Sequence, residues 1–238
     1  MNIVFRQFFH EETATLSYLL ADALTGHALL IDPVCEHAGR YLSVLQELEL
    51  DPVWLLETHT HPGEPSGTLA MKEHTGARTV GGAPTSAASP DLVVGQGDTV
   101  VFGNELMRVI ATPGHTPNSV TYKWRDRIFT GDSLLIGGCG RCDFSGGDAG
   151  VLYESISERL LSLPDETLVY PGHDYRNLRV SSIAQERLSN ERIRGKSRAE
   201  FVEVMNNLRH AQPGVSPGPS ASPLRCGRGD DLIDIHAA

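Results

Sequence analysis

Residues 53–61 read VWLLETHTH, an apolar run of strand length that ends in Thr58, His59, Thr60 and His61. Bulky apolar residues in so short a span fit a buried strand, and the two histidines follow where that strand leaves the core. Three more stretches repeat the design: RVIATPGHT (108–116) places His115 after an apolar run, RIFTGD (127–132) ends in Asp132, and ETLVYPGHD (166–174) ends in His173 and Asp174. Strand ends in one layered fold can converge on a single edge, so residues distant in sequence can share one site. Imidazole and carboxylate together suit Zn, Fe or Mn, whereas a structural zinc calls for clustered cysteines. Each segment alone has a plainer reading. A His-x-His can be incidental, Asp132 can cap a turn, and His115 and His173 can be satisfied loop histidines. The repetition at four strand ends is what the plainer readings leave unexplained.

Outward from these segments, strands are predicted at Asn2–Phe8, Thr15–Ala21, Ala28–Asp32, Val53–Glu57, Thr99–Phe102, Glu105–Ala111, Ser119–Trp124 and Arg127–Thr130, most of them bounded by Gly, Pro, Asn or Asp. Helical spacing appears in His37–Leu48 (Tyr41, Leu42, Leu45, Leu48) and in Val151–Leu163 (Leu152, Ile156, Leu160, Leu163). Ser197 and Glu200 form a capping-box pattern ahead of Phe201, Met205 and Leu208. The mixture lacks a steady βαβ rhythm and has many short connections, so antiparallel-rich sheets with helices outside fit better than a doubly wound parallel sheet. The whole chain, 1–238, reads as one domain, with a Pro/Gly/Ser-rich surface loop at 211–223.

Composition narrows the function classes. Of the 238 residues 40% are hydrophobic and 21% charged, an ordinary soluble balance, and no apolar run approaches the roughly 18 residues of a membrane-spanning helix. A formal charge of −10 repels phosphate backbones and argues against nucleic-acid partners. Four cysteines, Cys35, Cys139, Cys142 and Cys226, are too few for a disulfide framework of this size. The opening MNIVFRQFF alternates like a strand and shows no targeting pattern, so a cytoplasmic, globular enzyme is expected.

In this order and spacing, THTH, TPGHT, TGD and YPGHDY resemble the metallo-β-lactamase-fold superfamily. LLIGGCGRCDF (134–144), YPGHDYRN (170–177), EFVEVMNNL (200–208) and PLRCG (223–227) narrow the resemblance to its persulfide dioxygenase branch, over almost the whole chain. The resemblance implies an αββα sandwich, two mixed β-sheets flanked by helices in the α/β (α+β) class, with one mononuclear non-haem Fe(II) per chain. By the same resemblance His59, His115 and Asp132 are the metal ligands and catalytic centre, which leaves open positions for substrate and dioxygen. His61 and His173 then orient ligands or hold water from behind. Glutathione persulfide falls near Arg141, Asp143, Tyr175, Arg176 and Arg225, where guanidinium forks would meet its carboxylates and Asp143 its ammonium. The implied reaction is oxidation of glutathione persulfide by O2 to sulfite and glutathione, and homodimers are common in the family.

One departure stands out. The superfamily usually reads His-x-His-x-Asp-His, and here Gly63 and Glu64 occupy the last two positions, in HTHPGEPSG. An aspartate and an imidazole that help build a second metal site are thereby lost, which disfavours two-metal hydrolysis. Two other readings stay open: a glutathione thioester hydrolase of the glyoxalase II type, separable by metal content and oxygen requirement, and a degenerate binding protein disabled by the altered loop. The Cys139-Gly-Arg-Cys142 motif carries Cys142 where the branch has threonine, and Asp-Phe-Ser-Gly-Gly is a poor helix start, so the two thiols read as packing or pocket-lining groups rather than a redox pair. Gly114, Gly131 and Gly172 precede ligand-bearing positions, where tight turns favour glycine.

Overall fold

A computed structural model describes residues 3–60, 67–83, 89–143 and 145–208. The 211–223 loop, His61, Gly63, Glu64 and Arg225 lie outside the described residues. The first sheet contains β1 (Ile3–His10), β2 (Thr15–Asp22), β3 (His27–Ile31), β4 (Asp51–Leu56), β5 (Arg78–Gly81) and β6 (Leu92–Val93), in that spatial order. Its first two pairings are antiparallel and the next three parallel. The second sheet has β7 (Thr99–Phe102), β8 (Glu105–Ala111), β9 (Val120–Trp124), β10 (Arg127–Gly131), β11 (Leu168–Pro171) and β12 (Ser181–Ser182), again in order. Only β10 and β11 pair in parallel there.

The alternation along each central strand explains the layers. In β2, Leu16, Tyr18 and Leu20 point into the core between the sheets, while Leu19 and Ala21 point outward. In β3, Leu29 and Ile31 face inward and Ala28 and Leu30 outward; in β10, Phe129 faces inward and Ile128 outward. Strands apolar on both faces need cover on both, and helices supply the outer layers. Tyr41 and Leu45 of α1 (Ala38–Glu47) and Met71 of α2 (Gly67–Thr75) cover the first sheet. Leu152 of α3 (Ala149–Glu154), Ile183 of α4 (Ile183–Ser189), and Phe201 and Met205 of α5 (Arg198–Leu208) cover the second. Each Leu- or Phe-sized side chain so buried contributes about 1.5–3 kcal/mol before entropy is counted.

The eight predicted strands all form, within one or two residues at their ends. The predicted helix over 37–48 forms as α1, entered through a 3-10 turn at Cys35–His37. That over 151–163 begins at Ala149, where the Asp148 side chain accepts the Val151 N–H at 2.9 Å, and continues as a π-helical stretch, Ser155–Leu160. The capping box is present: Glu200 Oε2 accepts both the Ser197 N–H and the Ser197 hydroxyl at 2.7 Å. The short elements α2, β5, α4 and β12 carry too few periodic residues for their pattern to stand out before the fold is known.

Candidate metal centre

Four strands deliver their following residues to one edge of the sandwich. β4 ends at Leu56 ahead of His59, β8 at Ala111 ahead of His115, β10 at Gly131 beside Asp132, and β11 at Pro171 ahead of His173. Potential ligand atoms of His59, His115 and Asp132 all lie within 4.8 Å of one another. His115 Nε2 stands 3.8 Å from Asp132 Oδ2, and the His59 and His115 rings meet edge-on at 4.9 Å. His115 and Asp132 are buried and His59 is half-buried.

Hydrogen bonds aim these atoms. His115 Nδ1 lies 2.6 Å from the Arg141 carbonyl. A carbonyl only accepts, so Nδ1 carries the proton and Nε2 keeps its lone pair for the centre. His173 Nδ1 lies 2.7 Å from Asp132 Oδ1, leaving Oδ2 turned toward His115. His59 Nδ1 is 3.0 Å from Thr58 Oγ1. Burial raises the Asp132 carboxyl, but the His173, His59 and His115 imidazoles outweigh it and hold the group below the usual carboxylate range. Farther out, burial pushes the Asp32 carboxyl up to about 7, against the lowering effect of its bonds from the Thr58 N–H and hydroxyl. Two imidazoles and one carboxylate within reach of one another form a donor set suited to a transition-metal ion, and the residues fit such an ion.

Gly140 packs against the back of two of these residues. A Cβ there would lie 2.5 Å from the Asp132 carbonyl and 2.7 Å from His115 Nδ1, so only glycine lets the 139–143 segment rest on the ligands. Two clefts border that segment. One, of about 240 Å³, is lined by His173, Tyr175, Arg176 and Glu191 among others; the other, of about 520 Å³, includes Arg141, Asp143, Arg198 and Met205. Cys139 and Arg192 border both. Of the substrate residues expected from sequence, Arg141 and Asp143 line the larger cleft and Tyr175 and Arg176 the smaller. Arg141 grips Asp143 through Nε and Nη2 at 2.9 and 2.5 Å. Tyr175 stacks on His173 with ring planes 3° apart at 5.8 Å, and Arg176 is exposed with Nη2 4.0 Å from Glu191. Arg192 and Arg198, which no sequence motif marked, add positive charge to the lining. Cys139 Sγ lies 3.8 Å from Met205 Sδ and burial pushes its thiol up, as a packing role requires.

Comparison with known proteins agrees with this geometry. The pattern of the Metallo-beta-lactamase superfamily matches residues 10–173. The mitochondrial persulfide dioxygenase ETHE1 of Mus musculus is 40% identical over 228 residues, covering 94% of this chain and 89% of its own. The crystal structure of ETHE1 from Myxococcus xanthus superposes with a TM-score of 0.84 at 45% identity, over 88% of this chain and 92% of that one. A hydroxyacylglutathione hydrolase of Anaeromyxobacter dehalogenans is 35% identical over 86% of this chain and 76% of its own. With the triad of His59, His115 and Asp132 gathered at one sandwich edge, the chain belongs to the metallo-β-lactamase superfamily and, within it, to the persulfide dioxygenase branch.

Proposed function

We propose that the protein is an Fe(II)-dependent dioxygenase, one iron per chain, that converts glutathione persulfide, O2 and water to glutathione and sulfite. The observation that carries this reading is the convergence of His59, His115 and Asp132 into a single three-donor face. The sequence supports one ion rather than two, because Gly63 and Glu64 stand where two-metal members have Asp and His. That difference favours a dioxygenase over the thioester hydrolase, whose two-metal chemistry would need those ligands.

Bound there, iron would supply Lewis-acid capture of the persulfide anion and the electron-transfer chemistry that dioxygen requires. The chain's own residues do the rest. His115, pinned by the Arg141 carbonyl, and Asp132, pinned by His173, present one donor atom each to the same point. Gly140 lets the chain pack directly behind His115 and Asp132 and so holds both in place. Arg141, Arg176 and Arg192 bring guanidinium groups to the two clefts, each able to meet an anionic group of the substrate. Arg141 and Asp143, already paired, offer a guanidinium and a carboxylate to the charged ends of glutathione; Tyr175, Arg176 and Arg225 complete the proposed substrate set, and His61 is assigned to orienting the ligands. A persulfide is largely ionised near neutral pH, so no protein base is needed to prepare it.

The test is oxygen-electrode turnover with glutathione persulfide on protein loaded anaerobically with Fe(II), with metal content measured on the same sample. One iron per chain and persulfide-dependent oxygen uptake, lost in His115→Ala, is the expected result. Stoichiometric iron without oxygen uptake, or zinc with thioester hydrolysis, overturns it.

A further inference from the structure

Behind His59 runs a hydrogen-bonded chain that the ligand set alone does not explain. Asp32, the first residue after β3, has left-handed backbone (φ 48°), an uncommon conformation for a residue with a side chain. From there Oδ1 accepts the Thr58 N–H at 2.8 Å and Oδ2 accepts the Thr58 hydroxyl at 2.7 Å. Thr58 Oγ1 then lies 3.0 Å from His59 Nδ1. A hydroxyl has one proton. Once it is given to Asp32, Oγ1 can only accept from the imidazole. Gly131 makes room for the link: its φ is 51°, and a Cβ there would stand 2.3 Å from Thr58 Oγ1 and 3.2 Å from His59 Nδ1.

We infer that Asp32 and Thr58 are positioning residues that lock His59 in the tautomer protonated on Nδ1, so that its Nε2 lone pair faces the metal centre. The inference rests on the metal reading proposed above, but its first consequence, a fixed tautomer, belongs to the metal-free protein. His115 reaches the same state through a backbone carbonyl. His59 reaches it through a side-chain relay between β3 and the end of β4, which substitution can reverse. In Asp32→Asn the Thr58 N–H still needs an acceptor, so the amide oxygen stays there and the amide NH2 donates to Thr58 Oγ1. The hydroxyl proton then turns to His59 Nδ1 and drives the imidazole proton to Nε2, where it blocks a metal.

The experiment compares wild type, Asp32→Asn, Thr58→Val and Thr58→Ser at pH 8.5, where Asp32 is ionised. Ring 15N shifts of His59 in the metal-free protein report the tautomer, and competition with a chromophoric chelator reports Zn(II) affinity. Expected is an Nδ1-protonated His59 in wild type and Thr58→Ser, with equal affinities. Thr58→Val should mix tautomers and Asp32→Asn should favour Nε2–H, each weakening Zn(II) binding by roughly 10–100-fold, the usual effect of losing a partner behind a metal ligand. If Asp32→Asn does not fold, the Thr58→Val and Thr58→Ser pair decides. An unchanged tautomer and affinity in folded Thr58→Val, with only the unfolding temperature lowered, overturns the inference. A wild-type protein that binds no metal while holding Nδ1–H sinks the metal reading and leaves the tautomer lock standing.

Discussion

Asp22 and Asp132 stand at opposite ends of the same sandwich and are treated in opposite ways. β2 starts at Thr15, bridged to His173 beside the metal centre, and ends seven residues later at Asp22. At ~3.3 Å per residue that separates the two edges by about 23 Å. Asp22 Oδ1 accepts the Leu24 N–H at 3.0 Å, and Oδ2 accepts the Asn104 N–H and side-chain amide at 2.8 Å and the Thr25 hydroxyl at 3.0 Å. The backbone N–H groups of Asn104 and Leu24 lower its carboxyl to about 2. Asp132 has His173 on Oδ1, while Oδ2 is 3.8 Å from His115 Nε2, beyond hydrogen-bond length. A carboxylate saturated by donors ties loops together. One with an oxygen aimed at other ligands is arranged for a cation.

The sharpest break of this comparison is exchange of the charge at each end. Asp132→Asn should abolish stoichiometric metal and persulfide-dependent oxygen uptake, a loss greater than the roughly 10–100-fold typical of outer contacts. Metal analysis and an oxygen electrode check it, and a variant that keeps one iron per chain would erase the distinction. His173→Gln should follow at roughly 10–100-fold weaker metal binding by chelator competition, because Asp132 loses the partner that turns it.

Asp22→Asn should leave metal content at the wild-type level and lower the unfolding temperature at pH 7. The sign follows from linkage. Folding lowers this carboxyl from 3.8 to about 2, so its contribution is present above the unfolded value and disappears as pH falls through about 2. Melting curves from pH 7 down to 2 should therefore show the wild-type advantage shrinking below pH 4; an advantage that grew on acidification would contradict the assignment. The smallest effect belongs to the exposed Arg141–Asp143 pair. Asp143→Asn should change stability by only about 0.2–1 kcal/mol in chemical denaturation. Its kinetic effect should be a higher KM for glutathione persulfide, since the same pair meets substrate in the proposed reading.

Much of the site was readable before the fold was known, because its parts are local. VWLLETHTH, RVIATPGHT, RIFTGD and ETLVYPGHD each join a strand to a chemical group within nine residues, and strand ends in a layered fold share edges. Arg141, Asp143, Tyr175 and Arg176 were equally visible as residues, but their division between two clefts was not: it depends on where the 139–143 segment lies against Asp132 and His115. Arg192 had no motif to announce it, since it reaches the lining from the turn after α4.

By itself the sequence determined which residues prefer strands, which strands are apolar on both faces and so need helices outside them, and which side chains carry lone pairs for a metal. Those properties follow from periodicity of 2 and 3.6 and from donor chemistry, both local. Tertiary structure alone decided that Asn104 completes the donors around Asp22, that His173 holds Asp132, and that Asp32 stands behind Thr58 and His59. Hydrogen-bond partners contributed by segments 26 to 82 residues apart exist only once the sheets have packed, and no local pattern encodes them.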